Sequence, residues 1–174
     1  MTYRDLGTST RTLFAGSILF GLLLGGVAYG RPNAENEEPT PIPPAALADA
    51  VIARDLAAVR KLAEQGADVD ALDTRPDVAG ANGRRPLNWA AIQNDTKMIE
   101  LLLELGADID GQNLSGFTPL HHTVEHEAIE ALKLLLARGA DTKIENKRGL
   151  TPGEFAIEAR KRRAAEALGV SAAE

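Results

Sequence analysis

The chain has 174 residues, room for one modest domain and a flanking segment, and no cysteine. That absence excludes disulfides, thiol catalysis, Cys-based zinc sites and lipid attachment through sulfur. Beyond residue 30 there are 17 basic and 24 acidic residues, a net −7 that does not draw nucleic acid, and the 4% aromatic content suits thin helical layers rather than a large aromatic core.

Residues 1–30 open with Arg4 and Arg11, followed by an uncharged apolar run from Thr12 to Tyr29. A positive flank, an apolar centre and small residues at Gly26-Val27-Ala28 or Ala28-Tyr29-Gly30 fit a secretory signal peptide. The run also just reaches the length of a spanning helix, so a single-pass anchor is the alternative. Either way, the two arginines hold the N-terminus in the cytoplasm and place the body outside it. This predicts a periplasmic protein, or one tethered to the inner membrane with its domain in the periplasm; membrane contact would be through this segment alone, and only if it is not cleaved. Residues 31–44, RPNAENEEPTPIPP, read as a proline-rich linker, since proline lacks a backbone donor and favours extended chain.

From Ala45 the chain repeats itself. Pro86, Pro119 and Pro152 recur every 33 residues, as do Gly106-Ala107-Asp108 and Gly139-Ala140-Asp141. A period of this size signals a stack of small supersecondary units. The first unit, about 45–81, carries helical apolar spacing at Leu47, Ala50 and Val51 and at Val59 and Leu62. Gly66 follows as a stop. Arg54, Arg60, Lys61 and Glu64 give it a polar outer face. Its Gly-Ala-Asp precedes the next by 40 residues, so seven are inserted around 74–81, in a loop. The second unit, 82–113, pairs Leu87, Ala90 and Ala91 with Met98, Ile99, Leu102 and Leu103. The third, 114–146, holds Thr118-Pro119-Leu120-His121 and the stripe Ile129, Leu132, Leu135 and Leu136. The fourth, 147–169, opens at Thr151-Pro152, continues with Phe155, Ala156 and Ile157, and ends at Gly169 as a C-terminal cap. Residues 170–174 form a tail.

These units resemble ankyrin repeats. The resemblance rests on Thr118-Pro119-Leu120-His121, on Gly106-Ala107-Asp108-Ile109-Asp110, on Gly139-Ala140-Asp141 and on the Leu-Leu pairs before them. It implies an all-α solenoid of stacked helix-turn-helix units joined by β-turn or hairpin loops. It also implies structural roles for Pro86, Gly106, Thr118, Pro119, Leu120, His121, Gly139, Thr151 and Pro152, with the His121 ring bonded to the Thr118 hydroxyl and nearby backbone. Departures are visible. Arg85 and Asn88 replace the usual Thr and His, and Gly153 and Glu154 replace Leu and His. Arg54, Asn94, Glu127 and Arg160 stand where glycine usually joins the two helices of a unit. Asn enters left-handed backbone more readily than Glu or Arg, which predicts looser third and fourth turns.

Little here points to chemistry. His122 and His126, four apart with Glu125 between, share a helix face, but with His121 structural they lack a third ligand. Asp68, Asp70, Asp108, Asp110 and Asp141 recur with the repeat and read as turn residues bonding local backbone. No catalytic residue, cofactor or metal site is expected; the alternative of a different class is a small His-dependent metalloprotein. The run Arg160-Lys161-Arg162-Arg163 reads as a solvated face near a helix C-terminus, where cations are favoured.

The resemblance instead implies a monomeric module binding another protein through a concave surface of loop tips and first-helix residues. On this sequence the tips are Asn82, Arg84, Leu114, Ser115, Phe117, Lys147, Arg148 and Leu150, and the helical positions Ile92, Gln93, Glu125 and His126. Phe117 and Leu150 stand out as apolar turn residues with no evident core to join. The expected partner is a periplasmic enzyme that the module stabilises or regulates, or a toxic effector that it neutralises.

Overall fold

Helices of six to nine residues build this molecule, and helices so short do not persist alone in water. The structure, a computed structural model, describes residues 42–76 and 82–170. The proposed signal or anchor, most of the linker, part of the insertion and the last four residues lie outside this set. Over the described residues run α1 Pro44–Ile52, α2 Leu56–Glu64, α3 Pro86–Ile92, α4 Thr96–Glu104, α5 Pro119–Glu125, α6 Ile129–Ala137, α7 Pro152–Glu158 and α8 Arg162–Ala167. The first helices of each pair, α1, α3, α5 and α7, stack in order, and α2, α4, α6 and α8 form a second layer behind them. Among the described residues there is no strand, only an isolated antiparallel bridge between Asp73 and Arg84.

The core lies between the two layers. Leu47, Val51, Val59, Leu87, Met98, Ile99, Leu102, Leu120, Leu132 and Leu135 are all buried. Leu103 and Leu136 only lean on this core, whereas Leu101, absent from the predicted stripe, is buried. Ile157, placed with Phe155 and Ala156 on the first helix of the last unit, is 38% exposed, because that unit has no further layer to cover it among the described residues.

Each helix pair starts and turns by a repeated local device. Proline occupies the first turn of α3, α5 and α7, where its missing N–H costs nothing. The residue three positions beyond the cap bonds back to the cap's N–H: His121 to Thr118 at 3.3 Å, Asn88 to Arg85 at 2.7 Å and Glu154 to Thr151 at 2.9 Å. Asn88 and Glu154 therefore do the reciprocal capping that His121 does. The turns between the paired helices do not differ in tightness, contrary to expectation. Arg54, Asn94, Glu127 and Arg160 have φ of 58°, 55°, 51° and 55°. In each turn the next N–H donates to the carbonyl five residues back, at 2.9, 3.1, 2.8 and 2.8 Å. A side chain in this region costs about 1–2 kcal/mol, which these hydrogen bonds and the packing of both helices offset.

Asn94 also acts beyond its own turn. Asp55 and Asp95 cap α2 and α4 by accepting from Ala58 and Met98 N–H, but the corresponding residue before α6 is Ala128, which has no acceptor. Asn94 Oδ1, from the preceding unit, accepts the Ala131 N–H at 2.8 Å instead. The turn aspartates divide their work similarly. Asp68, Asp108 and Asp141 bond the N–H two residues on, as predicted. Asp70 and Asp110 instead reach the next unit, accepting from Asp108 and Asp141 N–H at 3.1 and 2.9 Å.

The loop tips repeat as well. Asn113 N–H donates to Phe117 O and Asn146 N–H to Leu150 O, each at 2.9 Å, and Asp73 N–H donates to Arg84 O at the same distance. The insertion therefore falls between the two closing residues of one loop tip, whose bond repeats that of the other tips. Arg75 braces its base, bonding the buried Asp73 at 2.9 Å and Asp49 of α1 at 2.7 Å. Residues 77–81 of the insertion lie outside the described set.

Leu135→Ala should cost about 2–5 kcal/mol and, in so small a stack, abolish helicity in one cooperative transition; a wild-type melting midpoint would overturn the packing assignment. The Asp73 carboxylate makes a second test. Its bonds to Arg75 hold it below the ordinary value of 3.8 despite burial. Its contribution is therefore complete above about pH 4 and lost as pH falls through the lower folded value. Asp73→Asn should lower stability by about 1–3 kcal/mol at pH 7, and urea titrations should show that difference shrinking at pH 3. An equal difference at both pH values would exclude the ion pair as its source.

Candidate partner-binding surface

The 33-residue phase brings corresponding side chains into rows along the first-helix layer. Arg84, Phe117 and Leu150 form one row at the loop ends, and Trp89, His122 and Phe155 form another on α3, α5 and α7. The tips are also joined directly: Leu114 N–H donates to Asn82 O and Lys147 N–H to Ser115 O, both at 3.1 Å. Close approach at the second junction requires glycine, since a Cβ on Gly116 would lie 2.7 Å from the Lys147 nitrogen.

The predicted contact residues separate into two groups. Asn82, Leu114, His126, Lys147 and Arg148 are exposed, Leu114 by 52%. Arg148 is ion-paired with Glu158. The others have structural work. Ile92 packs on the core, and Gln93 Nε2 donates to Ile52 O at 2.9 Å, tying α3 to the end of α1. Ser115 is half-buried and its N–H is bonded to Asn113.

Phe117 and Leu150 do have a core to join, which corrects the expectation that they do not. The Phe117 ring lies 5.2 Å from His121 and 5.5 Å from His122, and meets Phe155 edge-on at 5.2 Å. Such aromatic contacts contribute about 0.5–1.5 kcal/mol beyond buried area. Leu150 packs on the core, and its carbonyl accepts from His121 Nε2 at 2.9 Å. His121 Nδ1 is 2.9 Å from the Thr118 hydroxyl, so this ring spans its own helix cap and the next unit. Burial pushes its pKa down, the Leu150 bond opposing. A neutral ring with its proton on Nε2 satisfies both contacts.

Ionisable side chains gather at Arg84, Glu125 and His126. The Arg84 guanidinium lies over the Trp89 ring, 4.8 Å from its centroid, a cation–π contact. Burial lowers the Arg84 pKa, with Glu125 opposing. Glu125 accepts from His122 Nδ1 at 3.0 Å and lies 3.6 Å from His126 Nε2. The His122 bond holds its carboxyl below the ordinary range. His122 itself is buried, and its other nitrogen faces Asn113 at 3.2 Å. With both its nitrogens engaged, His122 does not join His126 in an open ligand pair, and the described residues hold no cluster of three or more potential metal ligands.

Trp89, His122 and Asn113 were not among the predicted surface residues. The repeat phase could have pointed to the first two, since large rings recur at 33-residue intervals through Phe155. The basic run also needs correction. Arg160 and Lys161 follow α7, but Arg162 and Arg163 open α8, the end of a helix where cations are disfavoured. Arg162 is paired with Glu166 at 2.9 Å. At the far end, a hollow of about 200 Å³ is lined by Thr142, Thr151, Gly153, Glu154, Ile157, Leu168 and Val170. Val170 packs over Gly153, where a Cβ would come within 3.1 Å of Val170 Cγ1.

The comparisons agree with this geometry. The family model for ankyrin repeats, in three copies, matches residues 47–146. The B-cell lymphoma 3 protein homolog of Mus musculus is 42% identical over 64 residues, covering 37% of this chain and 13% of that protein. The palmitoyltransferase AKR1 of Lachancea kluyveri is 44% identical over 45 residues, covering 26% of this chain and 6% of that enzyme. The crystal structure of the ankyrin repeat domain of Bcl-3, described as a unique member of the IkappaB protein family, superposes with a TM-score of 0.61. It is 33% identical, over 71% of this chain and 50% of that one. The chain thus spans small parts of both curated relatives and half of the solved domain. With its repeat phase, stacked helix pairs and matched family model, this chain belongs to the ankyrin repeat family, whose arrays are protein-interaction modules.

Proposed function

We propose that this module is non-catalytic and binds a partner protein across its second and third loop tips and the adjoining face of α5. The supporting observation is Leu114. It is the most exposed of the large apolar side chains among the described residues, seated against Gly83 beside the Arg84–Trp89 stack. Arginine and tryptophan are among the side chains most enriched where interface binding energy concentrates, and Leu114 adds exposed apolar area beside that pair. Glu125 and Lys147 supply charge, and Asn82 and His126 polar groups, at its margin. Phe117 supports this surface from beneath, packed on the histidines of α5.

The apolar run at 12–29 supports action outside the cytoplasm, in a periplasm, on a resident enzyme that the module stabilises or regulates or on a toxic effector that it neutralises. An inner-membrane tether is the second reading, favoured by the same run if it stays uncleaved. No helix among the described residues is long and apolar enough to cross a membrane, and the run itself lies outside them.

Pull-down from periplasmic extract with the wild-type protein and a Leu114→Asp/His126→Ala variant tests the surface. Both positions are exposed, so the variant should keep wild-type helicity and melting temperature. The wild type should retain a partner that the variant loses; equal recovery by both would overturn the assignment. The mass of the exported protein separates the two locations: loss of roughly the first 30 residues marks a cleaved signal, and the full mass in the membrane fraction marks an anchor.

A further inference from the structure

With each loop tip numbered by the unit it opens, the third, at 113–117, is held by a side chain whose hydrogen-bonding sense depends on protonation, and the fourth lies at 146–150. Asn113 Oδ1 accepts from both Ser115 N–H and Phe117 N–H, each at 2.9 Å. With the amide oxygen committed to two donors, its nitrogen is the atom that faces His122 Nε2, at 3.2 Å. An amide nitrogen only donates. Nε2 must therefore present its lone pair, and the ring proton sits on Nδ1, where Glu125 accepts it at 3.0 Å. The side chains of this chain, Asn113, His122 and Glu125, are satisfied together only while the imidazole is neutral.

A second proton would enter at Nε2 and set N–H against N–H inside the protein. Rotating the Asn113 amide would only move the conflict, because its nitrogen would then face the Ser115 and Phe117 N–H groups. His122 is 2% exposed, so water does not relieve it. The fourth tip provides an internal comparison. Asn146 Oδ1 likewise accepts from Arg148 and Leu150 N–H, at 2.8 and 3.3 Å. Phe155 stands where His122 stands, and Asn146 Nδ2 has no partner among the described residues. The same turn is built there without a titratable group.

We propose that His122 is an acid-sensitive latch: neutral, it holds the tip at 113–117 closed, and its protonation releases that tip but not the fourth. The groups facing it are Glu125 and His126 from its own helix and Arg84 from the segment before α3. The adjacent His121 is engaged with Thr118 and Leu150. Burial opposes the imidazolium most, Glu125 favours it, and Arg84 and His126 oppose it, so the folded ring titrates below its ordinary 6.5. The unfolded or opened chain takes up a proton near 6.5 while the closed one resists. The latch is therefore intact above that pH and is lost as pH falls through the lower folded value. A consequence that rests on the proposed binding surface is that a partner held at neutral pH is let go in acid, because Leu114, the exposed residue of that surface, is carried by the same tip. The latch does not depend on that reading.

Amide hydrogen exchange, resolved by residue on the full chain and corrected for intrinsic rates, tests it without a partner. Protection at Ser115 and Phe117 should fall by about tenfold for each pH unit below about 6.5, until the folded ring titrates. Protection at Arg148 and Leu150 should not change. His122→Phe, which copies the fourth tip, should abolish the response at Ser115 and Phe117. Equal losses at both tips, or a response that survives His122→Phe, would overturn the proposal. The wild-type imidazole titrations, followed by NMR, supply a readout that needs no variant. The tip amides must shift with the His122 midpoint, and a shift following His121 or His126 instead rejects the latch.

Discussion

Everything in this molecule depends on contact between one helix pair and the next. Among the described residues no helix exceeds nine residues, and none carries enough intrinsic stability to survive apart from its neighbours. The favourable term is the burial of leucine, isoleucine and methionine between layers, about 1.5–3 kcal/mol for each fully buried side chain. Polar ties set the spacing at which that burial can occur. Asp70 and Asp110 cross from one turn to the next, His121 reaches Leu150 O, Gln93 reaches Ile52 O, and Asn94 caps a helix in the following unit. Because these bonds join successive layers, losing one layer removes partners from two others. The stack should therefore respond to damage as a whole, although each contact is nearest-neighbour.

The repeat was legible because its structural residues answer to geometry that recurs. A proline can open a helix only at its first turn, and a glycine at the end, such as Gly106 with φ of 92°, takes a conformation that side chains resist. Both leave marks at fixed spacing. The departures were harder to read because one task can be done by different atoms. Asn88 and Glu154 keep the capping bond with an amide and a carboxylate in place of an imidazole. Glu127 and Arg160 occupy left-handed backbone as Asn94 does, since the i+5 hydrogen bond and the packing of both helices determine the turn. Propensity at one residue loses to closure of two helices.

The surface was legible only in outline. Phase put Asn82, Leu114, Lys147 and His126 at tips or on the first-helix face, and there they are exposed. It could not say that Phe117 would find three rings to pack on, because two belong to α5 and the third, Phe155, comes from the next unit. Nor could it say that Gln93 is engaged with α1. Contacts of this kind are between units, and a pattern that compares each unit with the others does not reveal how they touch. The same limit hid Trp89 and His122, whose importance lies in what Arg84 and Asn113 do above them.

Variation in the Trp89, His122 and Phe155 row shows how an array of identical scaffolds acquires local character. Each ring follows a loop whose first residue, Asp73, Asn113 or Asn146, closes the tip, and in the middle case that residue lies 3.2 Å from the ring. The asparagine turns are alike, with the side-chain oxygen gathering two N–H groups. Asp73 accepts from Arg75 and is fixed by charge, which suits the base of a longer loop. What differs is the partner offered to the remaining amide hydrogen. Phenylalanine offers none and makes a turn indifferent to protons. Histidine accepts, and thereby ties loop geometry to its own charge state and to Glu125 on the exposed face. A single ring substitution within a constant frame is enough to make one tip chemically distinct from its neighbours, and it does so without altering the backbone that the stack requires.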